Sequence, residues 1–199
     1  MYCRPSKRHE LQVAQYSGQN GRSADKAGFA PGTSILCISR YPMTQELADR
    51  LQTEFLQITG IKVDARFFPK GPLHQPSALP SGKQGVYIFL TDDHCFKVGK
   101  AGPKSKARWN SHHYCLDETT RSAFTKSIVK NKGRFKSYFS ESQHSEIDQL
   151  AKDNIGNWIK NNISRIELLL PQNEDGYALN LLEALVQYRL NPKYEGKNA

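Results

Sequence analysis

No stretch of this 199-residue chain approaches the ~20 consecutive apolar residues that cross a bilayer as a helix. The opening residues, MYCRPSKRHELQ, lack the apolar core of a secretory signal, so the expected setting is soluble and cytoplasmic, with no membrane partner. Cysteine is scarce. Cys3, Cys37, Cys95 and Cys115 stand without paired spacing, which argues against a disulfide framework and the common zinc-finger patterns. Adding His94, His112 and His113 to Cys95 and Cys115 restores no C-x-x-C or C-x-x-H spacing, and zinc is not expected. Acidic residues are also short: 19 Asp and Glu stand against 28 Lys and Arg, a formal charge of +9. That imbalance points to a polyanionic partner, nucleic acid foremost, with a merely basic protein as the alternative.

The length suits one domain, or one domain with a small appendage. Residues 1–33 mix basic side chains with Gly, Ser, Gln and Asn without an apolar period, which predicts a mobile basic arm. ILCIS (35–39) reads as a strand and 42–60 as a helix, with Leu47, Leu51, Phe55 and Ile58 on one stripe before Gly60. IKVDARFF (61–68) alternates like a strand, so 34–68 predicts a small β-α-β extension. The segment 69–84 holds four of the ten prolines and no period; it reads as a linker. GVYIFL (85–90) and CFKVGKA (95–101) are β-rich runs joined by TDDH, a hairpin. A helix is expected from SKARWNSHHY (105–114), then over 121–130 and 153–163, with a basic stretch between them that shows no readable period. RIELLLP (165–171) predicts a strand, and 177–190 a helix with Leu179, Leu182, Leu185, Val186 and Leu190 on one stripe.

Chemistry concentrates around the hairpin. Alternation along a strand sets Tyr87 opposite to Val86 and Ile88, and Lys97 opposite to Phe96 and Val98, so Tyr87 and Lys97 share a face across the hairpin. On the following helix Arg108 and His112 are four apart and share a side; that spacing favours His112 over His113. Glu183 sits beside Leu182 on an apolar helix, an awkward place for a carboxylate unless it is paired or holds a metal. Trp109 and Trp158 are expected to pack, with base stacking by Trp109 as the alternative.

GVYIF, then KVGKA ten residues on from the tyrosine, then an arginine on the next helix, resembles the GIY-YIG nuclease family, whose name spells its two strand motifs. The motifs read here Gly85-Val86-Tyr87 and Lys97-Val98-Gly99, with lysine where the second tyrosine usually stands, as in one branch of that family. LLEALVQYRLNPKY supplies Glu183, Pro192 and Tyr194 in the family's late-helix order, while Glu195 stands where many members have asparagine. The resemblance spans 85 to about 195, with an insertion around 115–164, and leaves 1–84 unexplained.

The resemblance implies an α/β fold, a small central antiparallel or mixed sheet flanked by helices, and Mg²⁺- or Mn²⁺-dependent hydrolysis of phosphodiester bonds in DNA. It implies Tyr87 as general base and Glu183 as the metal ligand. Lys97 would favour the phenolate as a nearby cation. Arg108 would bind the scissile phosphate, and His112 would orient Tyr87 or the attacking water. Restriction or antiviral defence is the biological role that relatives suggest, with a homodimer or a defence-system protein as partner. Two alternatives stand beside it: a single-strand or structure-specific nuclease, and a catalytically inactive nucleic-acid-binding module.

Overall fold

The structure, a computed structural model, describes residues 44–116, 123–172 and 176–194. The expected arm (1–33) and the expected strand at 35–39 lie outside the described residues. Helix α1 (Gln45–Thr59) forms where the apolar stripe predicts it and buries Leu47, Ala48, Leu51 and Phe55. Ile58, expected on the same stripe, is 57% exposed. It lies within the right arc but in the last turn, beyond Phe55, so packing ends before the periodicity does. The chain leaves the helix at Gly60, whose φ of 71° lets its N–H donate to Leu56 O at 2.8 Å; a side chain at that left-handed position would be strained.

Among the described residues four strands form one open sheet: β1 (Asp64–Phe68), β2 (Lys83–Leu90), β3 (Cys95–Ala101) and β4 (Ser164–Pro171), in the order β1-β4-β2-β3. Every pairing is antiparallel. The fold is thus a mixed α/β arrangement with a central antiparallel sheet flanked by helices. β1 pairs along its length with β4, from Asp64↔Leu169 to Phe68↔Arg165, and is an edge of the same sheet that holds the hairpin. Residues 69–82 are irregular, as their prolines predict, whereas Lys83 and Gln84, expected in the linker, already pair with β4 as the start of β2. The irregular residues join two strands of one sheet, and they bury His74 and Leu79.

The sheet is covered on both faces, and its two central strands, β2 and β4, are accordingly buried at nearly every position. Val86, Ile88, Leu90, Val98, Ile166, Leu168 and Leu170 pack with α1 and with Leu179, Leu182, Val186 and Leu190 of α7 (Gly176–Leu190). The helical period read over 177–190 therefore marks the core side of α7, and Glu54 of α1 pairs with Arg189 of α7 across the two helices. Tyr87, Phe89 and Leu169 point the other way, into a second core. That core is roofed by α2 (Lys106–Asn110), α3 (Ala123–Lys130), α4 (Lys132–Lys136), α5 (Glu141–Asp148) and α6 (Ile155–Asn162). α3 to α6 fall within the range 115–164 that was expected to be an insertion, and α2 precedes it. Phe124, Phe135, Ile147, Trp158 and Ile159 fix this layer to the sheet.

One irregularity corrects the strand-phase argument. Phe89 opposes Lys97, but Leu90 opposes Cys95, so a bulge leaves Phe96 without a partner. Phe96 was expected opposite to Lys97; the bulge turns it into the Tyr87 core instead. After α7 the chain returns along the outer edge of β3, where the N–H groups of Lys193 and Tyr194 donate to Cys95 O (3.0 Å) and Phe96 O (2.9 Å). Tyr194 then enters the same aromatic core.

Candidate functional site

The two motif glycines are explained by what lies over them. Gly85 opposes Ala101, and Tyr87 opposes Gly99. A Cβ on Gly99 would sit 2.5 Å from Tyr87 Cζ and 2.8 Å from its Cε2, so the phenol ring lies directly across the glycine. A Cβ on Gly85 would meet Leu168 O at 2.5 Å and Trp109 Cη2 at 3.1 Å. Trp109 is fully buried, which assigns it to packing. Tyr87 itself is 2% exposed.

α2 ends at Asn110, and residues 111–114 are a turn. The four-residue helical spacing from Arg108 therefore does not carry as far as His112. The ring that packs on Tyr87 belongs to His113, with centroids 4.5 Å apart and planes tilted by 51°. His112 is partly exposed and Arg108 exposed. Burial, first, and then the positive charges of Arg165, Lys97, His112 and Arg108 hold His113 well below the ordinary imidazole range. It is neutral at physiological pH, and those same causes disfavour its taking up a proton. Tyr87, Lys97, Arg108 and one histidine thus gather around one place, Lys97 through its position opposite Phe89 on the same side of the sheet.

Sequence reasoning missed the polar layer beneath. Arg165 and Glu167, both 0% exposed, face Tyr87's side from β4, with Arg165 Nη2 2.9 Å from Glu167 Oε1. The guanidinium lies 5.0 Å from the Trp109 ring, 5.5 Å from Phe89 and 5.7 Å from Tyr87. Burial pushes Glu167 above its usual range, and Arg165 and Arg66 oppose that shift. Arg165 Nη1 donates to the Tyr114 hydroxyl at 3.3 Å. His74 Nδ1 lies 2.7 Å from Ile163 O and its Nε2 2.7 Å from the Tyr114 hydroxyl. A carbonyl can only accept, so Nδ1 carries the proton, and Tyr114 donates to Nε2. The signal was present in RIELLLP: two charges at alternate positions of an apolar strand share one face.

Glu183 is placed differently. It lies on α7, the helix that packs on the opposite core, and its Oε2 accepts from Lys100 Nζ at 2.6 Å. The same ammonium donates to Asn180 Oδ1 at 2.7 Å. Lys100 opposes Val86 in register, so Glu183 and Tyr87 reach the sheet from its two sides, with β3 between them. Among the described residues no group of three or more His, Cys, Asp or Glu side chains converges as a metal cage. One carboxylate beside an amide oxygen, already gathered on a cation, fits a Mg²⁺ ion that keeps most of its water and fits no fully protein-bound ion. Among the described residues no helix is long and apolar enough to cross a membrane.

No protein-family model, curated protein or solved structure matches the chain.

Proposed function

We propose that the protein is a metal-dependent endonuclease that hydrolyses phosphodiester bonds in DNA. The observation that carries this reading is the gathering of Tyr87, Lys97 and Arg108 about a neutral, buried His113. Phosphodiester hydrolysis needs a proton acceptor for water and cations for the phosphate. Tyr87 is the general base, as phenolate favoured by the nearby Lys97, and the neutral His113 ring packs against it. Arg108, with its fork of donors, and Lys97 neutralise the phosphate at the rim, and His112 orients the water beside them. Glu183, with Asn180, would hold Mg²⁺ or Mn²⁺, which would supply Lewis-acid stabilisation of the leaving oxygen; this pair reaches the sheet from the side opposite Tyr87, so the reading requires the ion and the base to meet the substrate around β3. Restriction or antiviral defence is the narrower expectation, and it rests on the resemblance alone. A single centre of this kind cuts both strands as a homodimer or in two visits.

Two observations favour a second reading, a nucleic-acid-binding module without chemistry: Tyr87 is 2% exposed, and Lys100 clasps Glu183. Incubation of the protein with supercoiled plasmid and with single-stranded circles, in Mg²⁺ or Mn²⁺, separates the two. The nuclease reading expects cutting that is lost in Glu183→Gln while DNA affinity stays within about twofold, as expected when an interaction specific to the transition state is removed. Tight binding with no cutting in either metal establishes the inert module.

A further inference from the structure

A cavity of about 480 Å³ opens next to the Tyr87 face. Asn110, the last residue of α2, and Ser111, the first of the turn that leads to His113, form its near wall. Gln75 and Pro76 from the β1–β2 connection and Lys160 from α6 form the others, and Tyr114 and Cys115 complete the lining. The cavity and the candidate site are therefore built by the same turn.

Tyr114 is fixed from beneath. Its hydroxyl donates to His74 and accepts from Arg165, while the rings of His74 and Phe89 stand nearly perpendicular to it at 5.5 and 5.7 Å. Lys160 Nζ lies over the ring, 5.5 Å from its centroid. The volume falls in the range of small-ligand pockets, which combine apolar surface with a few placed polar groups.

The lining specifies the ligand. Tyr114 and Pro76 offer flat apolar surface. Asn110 and Gln75 carry amides and Ser111 a hydroxyl, groups that both donate and accept and so match the mixed edge of a nucleobase. Gln75 Nε2 donates to Pro72 O at 2.9 Å, which leaves its Oε1 to accept. Lys160 is a cation, and no acidic side chain lines the cavity among the described residues. A planar heterocycle that bears a phosphate meets all of these groups at once.

We infer that this cavity seats one unpaired nucleotide of the substrate strand, with the base against Tyr114 and the phosphate on Lys160. The inference rests on the nucleic-acid reading of the Tyr87 face and narrows its substrate. A base enters such a pocket only out of its stack, so the preferred DNA is single-stranded, mismatched or bulged beside the cut.

The test uses the full chain and 2′-deoxyadenosine 5′-monophosphate as probe, followed by calorimetry and amide chemical shifts. Deoxyadenosine and inorganic phosphate are the comparison arms. The nucleotide should bind saturably, and each half should bind about tenfold or more weakly. Lys160→Ala and Asn110→Ala change exposed residues, and each should weaken the nucleotide by about five- to tenfold, the usual loss of a hydrogen bond to a charged or polar group. Lys104→Ala removes an exposed charge outside the cavity and should leave the affinity unchanged. Absence of saturable nucleotide binding overturns the inference, as does phosphate alone binding equally well or equal weakening by all three variants. Nucleotide binding at the cavity without DNA cleavage supports the pocket and removes the nuclease. Cleavage without nucleotide binding removes the pocket and keeps the nuclease.

Discussion

His74 allows the sharpest prediction. It is 1% exposed, and burial, offset in part by the bond to Ile163 and reinforced by Arg165 and Lys160, lowers its pKa from 6.5 to about 4. The folded protein holds the imidazole neutral, while the unfolded chain protonates it below about 6.5. The contribution to stability is therefore complete above pH ~6.5 and is lost as pH falls toward 4, because the unfolded state binds the extra proton. Linkage over that interval amounts to about 2.5 kcal/mol by pH ~4.5. His74→Gln removes the titration. It also loses the ring that joins Tyr114 to Ile163, at a cost of about 1–3 kcal/mol near pH 7.5 for unpaired buried groups. Urea unfolding of both proteins from pH 7.5 to 4.5 cancels the carboxylates they share. The wild-type advantage should shrink by about 2–3 kcal/mol over that range. An advantage that stays constant with pH would refute the neutral, proton-excluding assignment of His74.

Three further outcomes follow from the site. Gly99→Ala places a methyl group against the buried Tyr87 ring and should cost about 1–3 kcal/mol of unfolding free energy, the usual penalty of overpacking; an unchanged denaturation midpoint would mean that the ring moves aside freely. Lys100→Met releases Glu183 and Asn180 and should raise Mn²⁺ affinity about tenfold at constant fold by removing a tethered competing cation. Paramagnetic resonance of free Mn²⁺ reads that change, and equal affinity would show that the ion binds elsewhere. Single-turnover cleavage from pH 6.5 to 10 separates two roles for Lys97: if it favours the phenolate of Tyr87, Lys97→Met recovers activity as pH rises and Tyr87→Phe does not. A parallel, unshifted Lys97→Met profile would assign Lys97 to phosphate binding alone.

The hairpin, β4, α1 and α7 were legible in the sequence because each carries a period that survives in the fold. Leu47, Leu51 and Phe55 face the core at helical spacing, and Val86 and Ile88 lie opposite to Tyr87. Three features were not legible, for physical reasons. The bulge at Phe96 breaks a strict two-residue alternation, and only pairing with β2 reveals it. Choosing between His112 and His113 depended on where α2 stops, and Asn110 is followed by no proline or glycine to mark the end. α4 and α5 are short and mostly polar at the surface; single residues such as Phe135 and Ile147, set by the tertiary aromatic core, hold them in place. The candidate residues of the hairpin were found from their types. Arg165, Tyr114 and His74, which hold that site from below, come from three distant segments that nothing local connects.

The order of strands also bears on how the protein is made. β4, which separates β1 from β2 in the sheet, is the last strand to leave the ribosome. Among the described residues β1 pairs with β4 alone, so before β4 emerges the β2–β3 hairpin is the sheet pairing those residues can form. Folding must therefore close a long loop before either core is sealed, the pattern of high contact order that slows folding. Between the emergence of β1 and that of β4 the described strands leave an edge unpaired and apolar faces uncovered, the kind of exposure that favours aggregation.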